Sequence, residues 1–175
     1  MTSQPPAPFT RLIPPPVFAH VEANLYRSAQ PSRINLPFLD TLPLHTIIWL
    51  AIEDPSTVTK TWARDRGVSL VCLPVVGEGD SEEGWAGAES VKRVLELILE
   101  ICAQNHGVLL MDQTGRHRIG TVIGCLRRLQ RWNLASVSEE YCKFAGGRWR
   151  VVNELWIEGF DVGGVRVEGG GPGWL

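Results

Sequence analysis

A chain of 175 residues fits one domain of ordinary size with a single core. Its 44% hydrophobic and 21% charged residues exclude the disordered and fibrous classes. A formal net charge of −2 removes any general pull toward nucleic acid or an anionic membrane, so a basic patch, if there is one, must be local.

Residues 1–15 are proline-rich and are expected to be extended or unstructured rather than helical. They lack the charged and apolar regions of a signal peptide, and no apolar run in the chain approaches the roughly 20 residues that span a bilayer. The expectation is a cytoplasmic protein. Leu25-Tyr26-Arg27 reads as a short strand, followed by a turn at Gln30-Pro31 and a short helix over 35–42. The β-branched run Thr46 to Ala51 predicts a buried strand. Asp54-Pro55-Ser56 opens a helix that Gly67 ends, and Val68 to Leu73 is the next strand. An acidic loop over 77–84 precedes a long helix over 86–104, whose Val91, Val94, Leu95, Ile98, Leu99 and Cys102 repeat at helical spacing on one face.

Asn105-His106-Gly107 stops that helix, and Val108 to Met111, apolar at every position, predicts a strand at the centre of a sheet covered on both sides. Three helices are expected after it, over 120–131, 136–144 and 151–160. The glycine-rich end, 162–175, is expected to hold regular structure only by docking on something. Alternating strands and helices argue for an α/β layer sandwich. Cys72, Cys102, Cys125 and Cys142 have no Cys-x-x-Cys spacing, and the first three sit in apolar stretches that read as buried free thiols. Trp49, Trp62 and Trp132 read as core. No metal site and no cofactor is expected.

The segment Asp112-Gln113-Thr114-Gly115-Arg116-His117-Arg118-Ile119-Gly120 lies between a buried strand and a helix, where open α/β sheets collect their ligands. A tight loop entering a helix N-terminus turns successive amides toward one point and makes an anion nest. Gly115 permits positive φ there, and Arg118 supplies a two-pronged guanidinium for phosphate oxygens. Arg116 and His117 make the rim basic. The alternative is an ordinary strand–turn–helix with solvated basic residues.

This loop resembles the Cys-x5-Arg phosphate loop of protein tyrosine and dual-specificity phosphatases. It is most similar to the plant and fungal atypical dual-specificity branch, whose loop reads His-Cys-x-x-Gly-Lys-His-Arg-Thr-Gly. Pro15-Pro16-x-Phe18-x-x-Val21, Leu25-Tyr26-Arg27-Ser28-x-x-Pro31, the Ile123-Gly124-Cys125-Leu126-Arg127-Arg128-Leu129-Gln130-x-Trp132 helix, Glu140-Tyr141-x-x-Phe144-Ala145 and Glu158-x-Phe160-Asp161 extend the likeness. The resemblance implies a cysteine-phosphatase-like α/β fold over 16–161, between the proline-rich start and the glycine-rich tail. Residue by residue, Met111 stands for the family histidine, Asp112 for the nucleophilic cysteine and Ile119 for the hydroxyl residue that assists its departure. Gly115, His117, Arg118 and Gly120 match, Arg116 stands for lysine, and Gln113 and Thr114 fall at variable positions of the phosphate-binding turn.

That pattern keeps the binding half of the loop and loses the reacting half, because the family mechanism needs a thiolate. A carboxylate of the same charge can be held by the same amides, and can also swing in and fill the nest itself. The expected function is therefore a catalytically impaired pseudophosphatase that binds phosphate-rich ligands or associates with related members. The fungal branch implies these partners, since it includes inositol-pyrophosphate phosphatases and oxidant-induced cell-cycle-arrest proteins that associate with one another. The alternative is residual phosphohydrolase activity on inositol pyrophosphates or phosphotyrosine, with Asp112 as nucleophile and Asp80, Glu82 or Glu83 as general acid. Asp112-x-Thr114-Gly115 is also similar to the phosphorylated Asp-Lys-Thr-Gly of P-type ATPases, a chemistry that needs Mg²⁺. Arg27 can either approach the pocket or serve a structural ion pair.

Overall fold

The structure, a computed structural model, describes residues 11–75 and 87–175. Strands β1 (Ala19–Glu22) and β2 (Leu25–Ala29) form an antiparallel hairpin. β3 (Leu44–Trp49), β4 (Ser69–Cys72) and β5 (Gly107–Asp112) run parallel to β2, giving one mixed five-stranded sheet in the order β1-β2-β5-β3-β4. The all-apolar run at 108–111 lies in the central strand, between Leu25 to Ser28 of β2 and Thr46 to Trp49 of β3. Every residue of β5 is buried, as a strand covered on both faces requires.

Side-chain alternation along β5 divides the core. Val108 and Leu110 face a larger cluster built with α3 (Ala88–Ala103), α4 (His117–Leu129), α5 (Leu134–Ala145) and α6 (Val151–Gly159). Leu109 and Met111 face a smaller one with Leu39 of α1 (Leu36–Leu39) and Trp62 of α2 (Thr57–Arg66). The six apolar positions read on α3 are all buried in the larger cluster, each stabilising by about 1.5–3 kcal/mol relative to exposure for its larger side chains. α2 starts where Ser56 accepts the Thr59 amide and stops at Gly67, whose φ of 67° is left-handed. Asn133 caps α5 by accepting the Ser136 amide at 2.9 Å.

Several boundaries differ from the sequence reading. β1 has no counterpart there: its four residues, Ala-His-Val-Glu, bury only Val21, too little to show a period. The helix expected over 35–42 is a 3₁₀ turn, Arg33–Asn35, followed by the single turn of α1. α4 begins three residues earlier than expected, so His117 and Arg118 belong to its first turn. Cys72 is exposed, because β4 is an edge strand, and Trp132 is 40% exposed beyond the end of α4. The glycine-rich end docks. Val165 is buried in the larger core, Trp174 packs against it, and Trp174 Nε1 donates to Ala23 O at 3.2 Å. No helix among the described residues is long and apolar enough to cross a membrane.

Candidate functional site

β5 delivers Asp112 to the carboxyl end of the central strand, and residues 113–116 turn the chain into α4. Gly115 makes the turn possible. Its φ is +73°, and a Cβ there would lie 2.5 Å from Ala29 N, a backbone atom that cannot step aside. From β2, Arg27 reaches across beneath the loop: its Nη2 donates to Gly115 O at 2.9 Å while its guanidinium lies 4.0 Å over the Phe144 ring. Burial lowers the Arg27 pKa to about 10, which still leaves it cationic at neutral pH. Of the two roles open to Arg27, the contact seen is neither an ion pair nor a place in the open pocket. It holds the loop's shape.

Asp112 is 1% exposed, and its carboxylate is folded back into the turn. Oδ1 accepts the Thr114 amide at 2.7 Å and the Gly115 amide at 2.5 Å, with the Thr114 hydroxyl at 3.4 Å. Two nest amides thus point at an anion that belongs to the chain itself. Beyond them, Gly120 is the residue whose amide reaches Arg116 O, at 2.7 Å; the amides before it form the open end of α4. The first turn of α4 carries no acidic residue, and its basic side chains are set against the positive end of the helix dipole, a placement that favours an added anion.

The rim is braced on two sides. Gln113 Nε2 donates to Glu53 Oε2 at 2.8 Å, tying the loop to the segment after β3. Glu53 has a lowered pKa, chiefly from its own backbone amide and then from Gln113, with the nearby Arg118 charge adding to it. On the other side, Arg116 Nη1 donates to Ala145 O at 2.9 Å and His117 Nδ1 lies 3.1 Å from the Tyr141 hydroxyl. Burial lowers the His117 pKa, reinforced by Arg150, Arg116 and Arg148. Burial also raises Tyr141 to about 12. Gly120 belongs to the same joint, since a Cβ on it would lie 2.9 Å from Tyr141 Cδ2.

One of the sequence-predicted positions plays no part in the open rim. Ile119 is fully buried in the larger core beneath the loop and presents no hydroxyl. Asp80, Glu82 and Glu83, read as possible general acids, lie outside the described residues. Glu53, Tyr141, Arg148 and Arg150 were not singled out as site residues. The one signal for the last two was the Arg148-Trp149-Arg150 triplet in an otherwise mildly acidic chain. Burial pushes the Cys102 thiol up to about 12 and Cys125 higher still.

A family model described as "Tyrosine phosphatase family" matches residues 12–167. The chain belongs to the tyrosine phosphatase family. Within that family it groups with the OCA1- and SIW14-like fungal branch. It is 43% identical to the OCA1 protein of Scheffersomyces stipitis over 96% of this chain and 85% of that one. It is 44% identical to OCA1 of Saccharomyces cerevisiae strain YJM789 over 97% of this chain and 72% of that one. Among solved structures, the core catalytic domain of the PP-IP phosphatase SIW14 from S. cerevisiae, in complex with citrate, superposes with a TM-score of 0.76 at 30% identity. That match covers 86% of this chain and 89% of the SIW14 chain. P. aeruginosa TpbA, at 22% identity and a TM-score of 0.67, shares the fold. The mixed five-stranded sheet between two helical layers is the fold of these phosphatases.

Proposed function

We propose that this family member is a pseudophosphatase, acting by binding rather than by turnover. The observation that carries the proposal is the Asp112 carboxylate accepting the Thr114 and Gly115 amides; on this reading it takes the place of the family's nucleophilic cysteine. A carboxylate held by two amides is a poorer nucleophile toward phosphorus than a thiolate, and attack would leave an acyl phosphate instead of a thiophosphate. Ile119 offers that intermediate no hydroxyl.

Binding survives the same substitution. At about 4 Å and an effective dielectric near 20, two unit charges repel by roughly 4 kcal/mol. A phosphate therefore meets a penalty from Asp112, which the Arg118 fork and the open amides of α4 oppose. Kinship with SIW14, described as a PP-IP phosphatase, makes inositol pyrophosphates the ligands to try first. Association with related members is the second arm of this reading, and exposed Val151, Val152 and Leu155 on α6 offer it an apolar surface.

Phosphate release from an inositol pyrophosphate and from an aryl phosphate, measured on the parent and on Asp112→Cys, tests the proposal. The parent is expected to be silent without added metal. Turnover by the parent that Asp112→Asn abolishes would overturn the proposal in favour of an aspartyl-phosphate mechanism.

A further inference from the structure

At the end of the sheet opposite Asp112, two exposed histidines stand face to face. His45 lies near the start of β3 and His106 just before β5, with ring centroids 4.3 Å apart and planes 7° from parallel. The backbone on both sides is shaped to bring them there. α3 ends with Asn105 in the left-handed region at φ +58°; its amide donates to Cys102 O at 3.0 Å, and the His106 amide donates to Ile101 O at 3.2 Å. That double closure is a Schellman ending, and it fixes the point from which His106 projects. On β3 the register slips between Leu44, opposite Gly107, and Thr46, opposite Val108, so His45 has no partner residue of its own in β5. Gly107 lets the two segments close up: a Cβ on it would lie 2.1 Å from Pro43 O, a backbone atom.

Each ring has a nitrogen to spare. His45 Nδ1 lies 2.8 Å from the buried Thr46 Oγ1, which leaves Nε2 without a hydrogen bond among the described residues. A hydrogen bond on one ring nitrogen is how proteins orient a metal-binding imidazole and keep the lone pair on the other. Two metal–nitrogen bonds of about 2.0–2.1 Å together span about 4 Å, close to the separation of the rings, so a tilt of the two exposed side chains converges both nitrogens on one ion. Among the described residues no third histidine, cysteine or carboxylate joins the pair, so water fills the remaining positions and the ion exchanges readily.

We propose that His45 and His106 form a two-imidazole site for a late first-row divalent cation such as Zn²⁺, clipping the start of β3 to the end of α3. Imidazole nitrogen selects such ions over Mg²⁺ and Ca²⁺, which prefer oxygen. The site lies at the other end of β5 from Asp112 and stands or falls independently of the reading of the loop.

Calorimetric titration of the tag-free full chain with Zn²⁺ tests it, using the parent, His45→Gln, His106→Gln and Cys72→Ser, which removes the exposed thiol that could also take the ion. Each histidine variant is expected to bind at least about tenfold more weakly, because a single imidazole loses the chelate, while Cys72→Ser stays within about twofold of the parent. In the parent, NMR signals of the His45 and His106 rings should shift together as Zn²⁺ is added, with those of His20 and His117 unmoved; this readout needs no variant to fold. A histidine variant with the parent's melting temperature that binds Zn²⁺ within about twofold of the parent overturns the site. So does a shift confined to one ring of the pair, or loss of binding in Cys72→Ser, which places the ion elsewhere.

Discussion

The two ends of α4 are both rich in arginine, yet they are built on opposite principles. At the C-terminal end, Arg127 is buried and fully partnered. Glu140 receives its Nε at 2.7 Å and its Nη2 at 2.9 Å, Glu22 and Val21 O take further bonds, and Trp132 lies 4.2 Å over its other face. Burial works against its charge, but Glu140 and Glu22 outweigh it and raise its pKa. Gln130 extends the network by donating to Glu22 and to Trp174 O of the docked tail. At the N-terminal end, Arg118 has no ion pair among the described residues and sits against the positive end of the dipole. Under the proposed function, the difference separates a structural arginine from a binding one: the first brings its counter-ions with it, the second waits for a ligand to supply them.

That contrast is open to direct attack. The largest effect should come from Arg127→Met, which strands Glu22 and Glu140 in a half-buried setting. Breaking a buried ion pair from one side costs about 3–5 kcal/mol, read as a fall in Tm of roughly 10 °C. Next is Gly115→Ala at the other end. A Cβ there meets backbone rather than a flexible side chain, and with φ at +73° the loss should be about 2 kcal/mol or more in chemical denaturation. An Arg127→Met chain that melts like the parent would collapse the distinction between the two ends.

Asp112→Ala sharpens it. Removing the internal anion leaves the Thr114 and Gly115 amides without their acceptor, a cost of about 1–3 kcal/mol. Added phosphate should restore more stability to this variant than to the parent, as thermal shift would report, because the nest is then free for it. Arg118→Gln is expected to move stability by less than about 0.5 kcal/mol while weakening phosphate binding, the reverse of Arg127.

The smallest effect concerns pH. His117 titrates below its ordinary value of 6.5, so the fold prefers the neutral ring. Its contribution is complete above the unfolded pKa of about 6.5 and is lost as pH falls through the lower folded pKa, because the unfolded chain takes up the proton first. His117→Gln should therefore flatten the pH dependence of stability on the acid side of 6.5. A slope unchanged by the substitution would remove His117 as its source.

Much of this was legible before any coordinates. The helical spacing of Val91 to Cys102, the caps at Ser56 and Gly67, and the unbroken apolar run of β5 are local signals, set by periodicity and backbone preference within a few residues. The candidate loop was legible for the same reason, its basic and glycine positions being contiguous. Trp132 was misjudged because hydrophobicity cannot tell burial in a core from stacking on a guanidinium at the rim. The start of α4 was placed too late because His117 and Arg118 have the look of loop residues, although nothing in them opposes a helical turn.

By itself the sequence determined the α/β alternation, the family likeness and the carboxylate at residue 112 where the candidate loop begins. Those follow from the order of residue types. Only the tertiary structure decided where that carboxylate goes, which arginines are neutralised and which are left open, and that the turn at 146–150 stands beside a loop some thirty residues earlier in the chain. The physical reason is that pairing and desolvation depend on distances across the fold, between Arg127 and Glu22 or between Arg116 and Ala145, which a linear order of residues does not contain.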